Sequence, residues 1–198
     1  DRKAEVAQHT FFGRVDVVTK VYGFRKIWKK NPRVFDVVDL SFLPSMKLRT
    51  FAFWLDVPSR IFENHVYVPS LLKTGDGIST PDEIDEVAFL RRGVGLHGGL
   101  HAISHCLINI MPMHIMCDSS KDIGTECPSP FDRALANRRE RPMRMLFFEK
   151  IPGGMGLSSS GALSMFDLLE TTLKTIEACP CTTKQGCPSC IQSTACSE

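Results

Sequence analysis

Between Phe11 and Val57 hydrophobic and polar residues alternate in several separate runs, the period of strands with one face toward a core and the other toward water. Val15, Val17, Thr19 and Val21 alternate with Arg14, Asp16 and Lys20. Gly23 is expected to mark a bulge ahead of a second strand over Phe24 to Trp28. Asn31-Pro32 turns the chain into a third strand, Val34 to Leu40. A fourth, residues 50–57, places Phe51, Phe53, Leu55 and Val57 on one face. Short connections between successive strands predict an antiparallel meander.

The period then changes. Residues 74–80 form a polar loop and the best internal boundary, separating an antiparallel β subdomain (1–73) from an α/β subdomain (74–198). Thr80-Pro81-Asp82-Glu83 has the chemistry of a helix start, interrupted near Gly93 and Gly95. Leu96, Leu100, Ile103, Leu107 and Ile110 follow at steps of four and three, the stripe of a helix that Pro112 stops. His114 to Cys117 and Met145 to Phe148 read as short buried strands. Between them, residues 118–144 form a surface insertion rich in Pro, Asp and Arg. Ser158 to Ser160 offer N-caps for a last helix with an apolar stripe of Leu163, Phe166, Leu169, Leu173 and Ile176. The fold class is α+β: an N-terminal antiparallel β-meander, then a helix-strand-strand-helix part that ends in a cluster of cysteines.

Composition adds a compartment. The 198 residues are 43% hydrophobic and 23% charged, enough apolar side chain for a core. A formal charge of +2 predicts neither nucleic-acid nor membrane binding by itself. No apolar run approaches the roughly 18 residues of a membrane span. The chain opens on Asp1 with no signal-peptide pattern and no initiator Met, so it is expected to be a segment of a longer protein. Five of its eight cysteines fall at positions 179, 181, 187, 190 and 196. Thiols packed so tightly in a chain with its own core read as a metal site in a reducing compartment, inside the cell.

The tail carries the chemistry. Cys187 and Cys190 form a C-x-x-C knuckle that can aim two thiolates at one ion, and Cys179 and Cys181 can supply a second pair. Zinc suits four sulfurs, being tolerant of thiolate and tetrahedral without redox demands. Such a site has no open position, so it is structural. Cys196 is an alternative ligand or a neighbouring thiol, and a disulfide or iron–sulfur cluster are the competing readings. His97, His101 and His105 stand at i, i+4 and i+8 on the helix. They read as hydrogen-bonded, semi-buried side chains, or alternatively as metal ligands with Asp118 or Asp122. Gly153, Gly154 and Gly156 lie between a strand and a helix, where close packing calls for glycine and a phosphate contact is the rival reading. The turn matches neither G-x-G-x-x-G nor the P-loop, so ATP cannot bind in the P-loop manner. Two basic runs, Arg25-Lys26-Ile27-Trp28-Lys29-Lys30 and Arg138, Arg139, Arg141 and Arg144, read as solvated surface or as contacts to a phosphate backbone.

In their order along the chain, these residues resemble a known family. Leu96-His97, His101-Ala102-Ile103-Ser104-His105, Asp118, Asp122-Ile123-Gly124, Gly153-Gly154-Met155-Gly156-Leu157, Cys-Pro-Cys and Gly-Cys-Pro-Ser-Cys are similar to the MrfA-type zinc-binding domain. That domain lies C-terminal to the two RecA-like motors of a group of superfamily-2 DNA helicases, which includes the Hrq-type relatives of RecQ. Gly23 to Ile27 and Phe53-Trp54 add to the likeness. It implies Cys179, Cys181, Cys187 and Cys190 as ligands of one zinc ion. It further implies a parent with ATP-dependent 3′-to-5′ DNA unwinding and a role in crosslink repair, with single-stranded or forked DNA as partner and the nucleus as its place in a eukaryote. Where the family often has Tyr-Asp before the glycine turn, this chain has Phe148-Glu149, a departure that weakens any role for that acid. Since this chain lacks the motor, it is not expected to be an enzyme alone. A protein-interaction module without nucleic-acid contact, or a metallo-hydrolase built on the histidines and Asp118, are the competing classes.

Overall fold

A computed structural model describes residues 1–29, 31–58, 97–127, 143–183 and 186–192, and shows an α+β fold. Its described elements are α1 (Arg2–His9), β1 (Thr10–Lys20), β2 (Gly23–Trp28), β3 (Asn31–Asp39), β4 (Ser45–Val57), a helix α2 over residues 97–110, β5 (Ile123–Glu126), β6 (Met143–Glu149), α3 (Leu157–Leu163) and α4 (Met165–Glu177). The loop at 74–80, the helix start at Thr80 and residues 128–142, with Arg138, Arg139 and Arg141, lie outside the described residues.

The strands are antiparallel, as the alternation predicts, but they do not pair in sequence order. One sheet runs β1-β4-β6-β5, and β2 and β3 form a separate two-stranded ribbon. β1 meets β4 over its whole length, Thr10 opposite Leu55 through Lys20 opposite Ser45, so the ribbon is an excursion between two paired strands. Because β4 also pairs with β6, residues from both sides of the expected boundary share this sheet. The ribbon's irregularity falls at Lys26–Trp28, not at Gly23. Gly23 serves a close approach instead: a Cβ there would meet the Val38 carbonyl at 2.5 Å.

Phe53, Leu55 and Val57 face the core as expected, beside Met145 and Phe147 of β6 and Ile123 of β5. Leu100, Leu107 and Ile110 of α2 cover them, with Met111, Met165 and Leu168. A single 3-10 turn, Met111–Met113, follows α2, so His114 to Cys117 is not a strand. The chain there turns back against α4, with His114 Nε2 2.9 Å from Thr171 Oγ1.

The last helix also departs from the expected stripe. It breaks at Ser164 (φ −90°, ψ 2°), which resets the helical phase. Met165, Leu168 and Thr172 are buried as a result, while Leu163 and Leu173 are 85% and 54% exposed. The short helix α1 carries no buried residue and only a weak apolar pattern; Asp1 caps it by accepting the Lys3 N–H at 3.0 Å.

α3 lies so close to the sheet that a Cβ on Gly161 would stand 2.5 Å from the Phe53 ring. Gly161→Ala should therefore cost about 1–3 kcal/mol in a urea melt, the usual range for overpacking. Gly98→Ala, in α2 with nothing within 4 Å, should be neutral or stabilise by up to about 1 kcal/mol. Equal effects at the two sites would contradict this packing.

Candidate metal centre

β6 positions the centre by ending on a buried acid. Its alternation carries Met145, Phe147 and Glu149 onto the same inner face, and Glu149 is 0% exposed. The carboxylate accepts the N–H of Ser158 at 2.8 Å, and those of Met155 and Leu157, at the entrance to α3. Glycine makes this turn possible: Gly153, Gly154 and Gly156 have φ of 79°, 72° and 89°. At Gly154 a Cβ would also press on the Phe51 ring and on Glu149 Oε2, at 3.0 and 3.1 Å.

The helix is thus capped from outside its own sequence. Its N-cap residue is Gly156 and makes no side-chain cap, while Ser158, expected to cap, is buried within the first turn. Burial pushes the Glu149 carboxyl up, but the converging N–H donors outweigh it and hold the group below its ordinary range. These donors are the ones a phosphate would need, so the turn's polar capacity is met internally. Gly153 N–H donates to Arg49 O at 3.0 Å, and Gly154 N–H to Ile151 O at 3.1 Å. The left-handed backbone is what calls for glycine at all three positions; close packing adds to it at Gly154, whereas a Cβ at Gly153 or Gly156 would meet nothing within 4 Å.

α3 and α4 carry this anchored geometry to the cysteines. Cys179 follows the end of α4 directly, its N–H donating to Ile176 O at 3.2 Å. The chain returns through Gly186 (φ 91°), and the Ile191 N–H donates to Cys187 O at 3.1 Å. Ile191 packs on the edge of the core, which ties the knuckle to the body of the domain.

The sulfurs of Cys179, Cys187 and Cys190 all lie within 4.8 Å of one another, each half-buried. The Cys181 N–H points at the Cys179 sulfur and, with Cys190 and Cys187, lowers its pKa. Cys190 is pushed up to about 12 by hydrogen bonding to Cys179 and Cys187. Three thiols that share protons in this way suit a divalent cation with Zn–S bonds of about 2.3 Å. Zinc would draw three ligands from Cys179, Cys187 and Cys190 and would supply structural cross-linking, not chemistry. The Cys181 sulfur stands outside this group, exposed and 3.1 Å from Thr183 Oγ1. Cys196 lies outside the described residues.

The other predicted residues are placed differently. His101 and His105 meet through their Nε2 atoms at 2.9 Å, and His97 Nε2 lies 2.6 Å from the Cys127 carbonyl. Asp118 accepts from the Ser120 hydroxyl at 2.6 Å and its N–H at 2.9 Å, which lowers its pKa to about 2. It closes a turn and does not join the histidines in a ligand group. Among the described residues, the cysteine trio is the group of three that could hold an ion. Arg144, read as part of a basic run, makes a bidentate pair with Asp56 at 2.6 and 2.8 Å and lies over the Trp54 ring. Arg25, Lys26, Trp28 and Lys29 sit on the ribbon, Lys26 paired with Asp36 at 2.7 Å; Lys30 lies outside the described residues. Sequence reasoning passed over Glu149, although an acid in the buried phase of a strand just before a glycine turn was a usable signal.

Fold and site together define a thiolate metal-binding domain of mixed α and β structure. Residues 103–191 match the MrfA Zn-binding domain, and that stretch of the chain belongs to that family. The ATP-dependent helicase hrq1 of Schizosaccharomyces pombe is 31% identical over 188 residues, 92% of this chain and 15% of that protein. An uncharacterized protein of Methanocaldococcus jannaschii, MJ1572.1, is 32% identical over 97 residues, 49% of this chain and 81% of the relative. A crystal structure of the DUF1998 helicase MrfA bound to DNA shares the fold with a TM-score of 0.51 at 24% identity, over 94% of this chain and 20% of that one. The chain therefore spans about one seventh of the yeast helicase.

Replacing Glu149 with Gln should cost about 1.5–3 kcal/mol at pH 7, because an amide cannot accept all the N–H groups that the carboxylate does. A folded-state pKa held low contributes stability that is complete above the ordinary glutamate value and is lost as pH falls through the lowered one. The gap between wild type and Glu149→Gln should then narrow from pH 7 to pH 3 in urea melts run with a chelator present. An unchanged gap would contradict the capping role.

Proposed function

We propose that this chain is the zinc-held accessory domain of an ATP-dependent 3′-to-5′ DNA helicase, assisting DNA binding and strand separation during repair of crosslinked DNA. In a eukaryote its place of action is the nucleus. The observation that carries this reading is the convergence of Cys179, Cys187 and Cys190 at the end of α4, in a stretch of the MrfA Zn-binding family. Cys181 supplies the fourth sulfur, since it stands two residues from Cys179 and already directs its N–H there. Arg25, Lys26 and Lys29 on and beside the ribbon, with Lys30, Arg138 and Arg139, contact the DNA backbone. ATP hydrolysis belongs to the motor domains of the parent. The DNA-bound state named for the MrfA structure and the helicase name of hrq1 support this assignment.

Zinc content tests the reading first. The purified chain should carry one zinc, and serine at both Cys187 and Cys190 should bring it close to none. The thermal midpoint should drop by roughly 5–10 °C when the wild type is measured at a hundredfold the zinc dissociation constant. Cys181→Ser should lose zinc and Cys196→Ser should keep it. Unchanged stoichiometry in the double variant would overturn the metal site. The chain should also bind forked DNA at low salt, with affinity falling steeply as salt rises. Absence of binding would favour a protein-interaction module.

A further inference from the structure

Among the described residues, the ribbon of β2 and β3 pairs with no third strand and is separate from the four-stranded sheet. A two-stranded ribbon without a third strand or a covering helix is marginal in water. This one nonetheless exposes Phe24, Ile27, Trp28, Val34, Phe35 and Val37. Apolar exposure concentrated in this way marks an interaction surface. Its charge selects among partners. From Gly23 to Asp39 there are five basic residues against Asp36 and Asp39, a net of three positive charges in a chain whose whole formal charge is +2. Protein interfaces deplete Lys at their cores. Basic side chains interleaved with exposed aromatics are instead the composition of a groove that tracks a single strand.

Two rings are already arranged for that use. Trp28 and Phe35 pack ring on ring across the ribbon, with centroids 4.6 Å apart and planes tilted by 37°. Trp28 is 59% exposed and Phe35 51%. Arg25, three residues before Trp28, and Lys29, next to it, are exposed; Lys26 is taken up by Asp36. We propose that the Trp28–Phe35 pair is a base-stacking platform for single-stranded nucleic acid, with Arg25 and Lys29 on its phosphates. This deepens the reading of the chain as a DNA-binding accessory domain and rests on it. The register shifts beside Ile27 fit the role, because a bulge adds local twist and re-aims the side chains next to it.

The chain has two tryptophans, which makes the test direct. Trp54 is half-buried, stacked on Phe11 and covered by the Arg144 guanidinium, whereas Trp28 is open. Adding a twelve-residue oligothymidylate at low salt to the zinc-loaded chain should quench tryptophan emission. Trp54→Phe should keep that quench. Trp28→Ala should abolish it and weaken binding by roughly 5- to 150-fold, the range for losing one stacked base. Phe35→Ala should weaken binding while a smaller quench survives. Replacing Arg25 and Lys29 together by Ala should lower the slope of log affinity against log salt by about 1.4. A blunt duplex of the same length should leave Trp28 unquenched. Salt-dependent binding with no quench and full affinity in Trp28→Ala would overturn the platform and leave the wider DNA reading standing. No binding of either DNA would overturn both, and would assign the apolar ribbon to a protein surface.

Discussion

Three cysteine sulfurs within 4.8 Å of one another, at the end of a helix, set the strongest constraint in this domain. Thiolates that close repel one another unless protons or a cation lie between them. The Cys190 thiol hydrogen-bonds to Cys179 and Cys187, which pushes its pKa up. A divalent metal replaces that proton with a much larger charge, and its binding free energy becomes folding free energy for the tail. The segment after α4 has few other anchors. Ile191 reaches the core, and Gly186 permits the return turn.

The cluster can form only because its support is fixed elsewhere. Glu149 takes up the N–H groups at the start of α3, the glycine turn brings α3 onto Phe53, and α4 follows after a break at Ser164. A carboxylate buried at the end of one strand thus fixes α3, and α4, beyond the break, leads to the first ligand past its far end. The histidine row of α2 belongs to the same packed body: His105 is buried, and His97 meets the carbonyl of Cys127. Chemistry that looked available to outside ligands, in the glycine turn and in the histidines, is in large part used to hold the fold.

What could be read along the chain was what depends on short range. Period-two alternation located β1 to β4, and β6 stood out as an apolar run. The step of Leu100, Leu107 and Ile110 located α2, and C-x-x-C spacing located the knuckle. Pairing was not legible, because β1 joins β4 across a 24-residue excursion whose two strands read locally like any others. The phase of the last helix was lost at Ser164, where a break that no glycine or proline announces shifts burial from Leu163 and Leu173 to Met165 and Leu168. Glu149 was misjudged because capping from a neighbouring strand is a tertiary contact, while the three serines nearby satisfied the local rule. Phe35 went unremarked for a similar reason, since its partner Trp28 sits on the facing strand.

Cobalt substitution tests the central claim most directly. Titrating Co²⁺ into the reduced, metal-free chain should give intense thiolate-to-metal absorption and tetrahedral visible bands, saturating at one equivalent and displaced by zinc. Weak octahedral bands, no endpoint at one equivalent, or thiols found oxidised in pairs would contradict a single sulfur-bound ion at the end of α4.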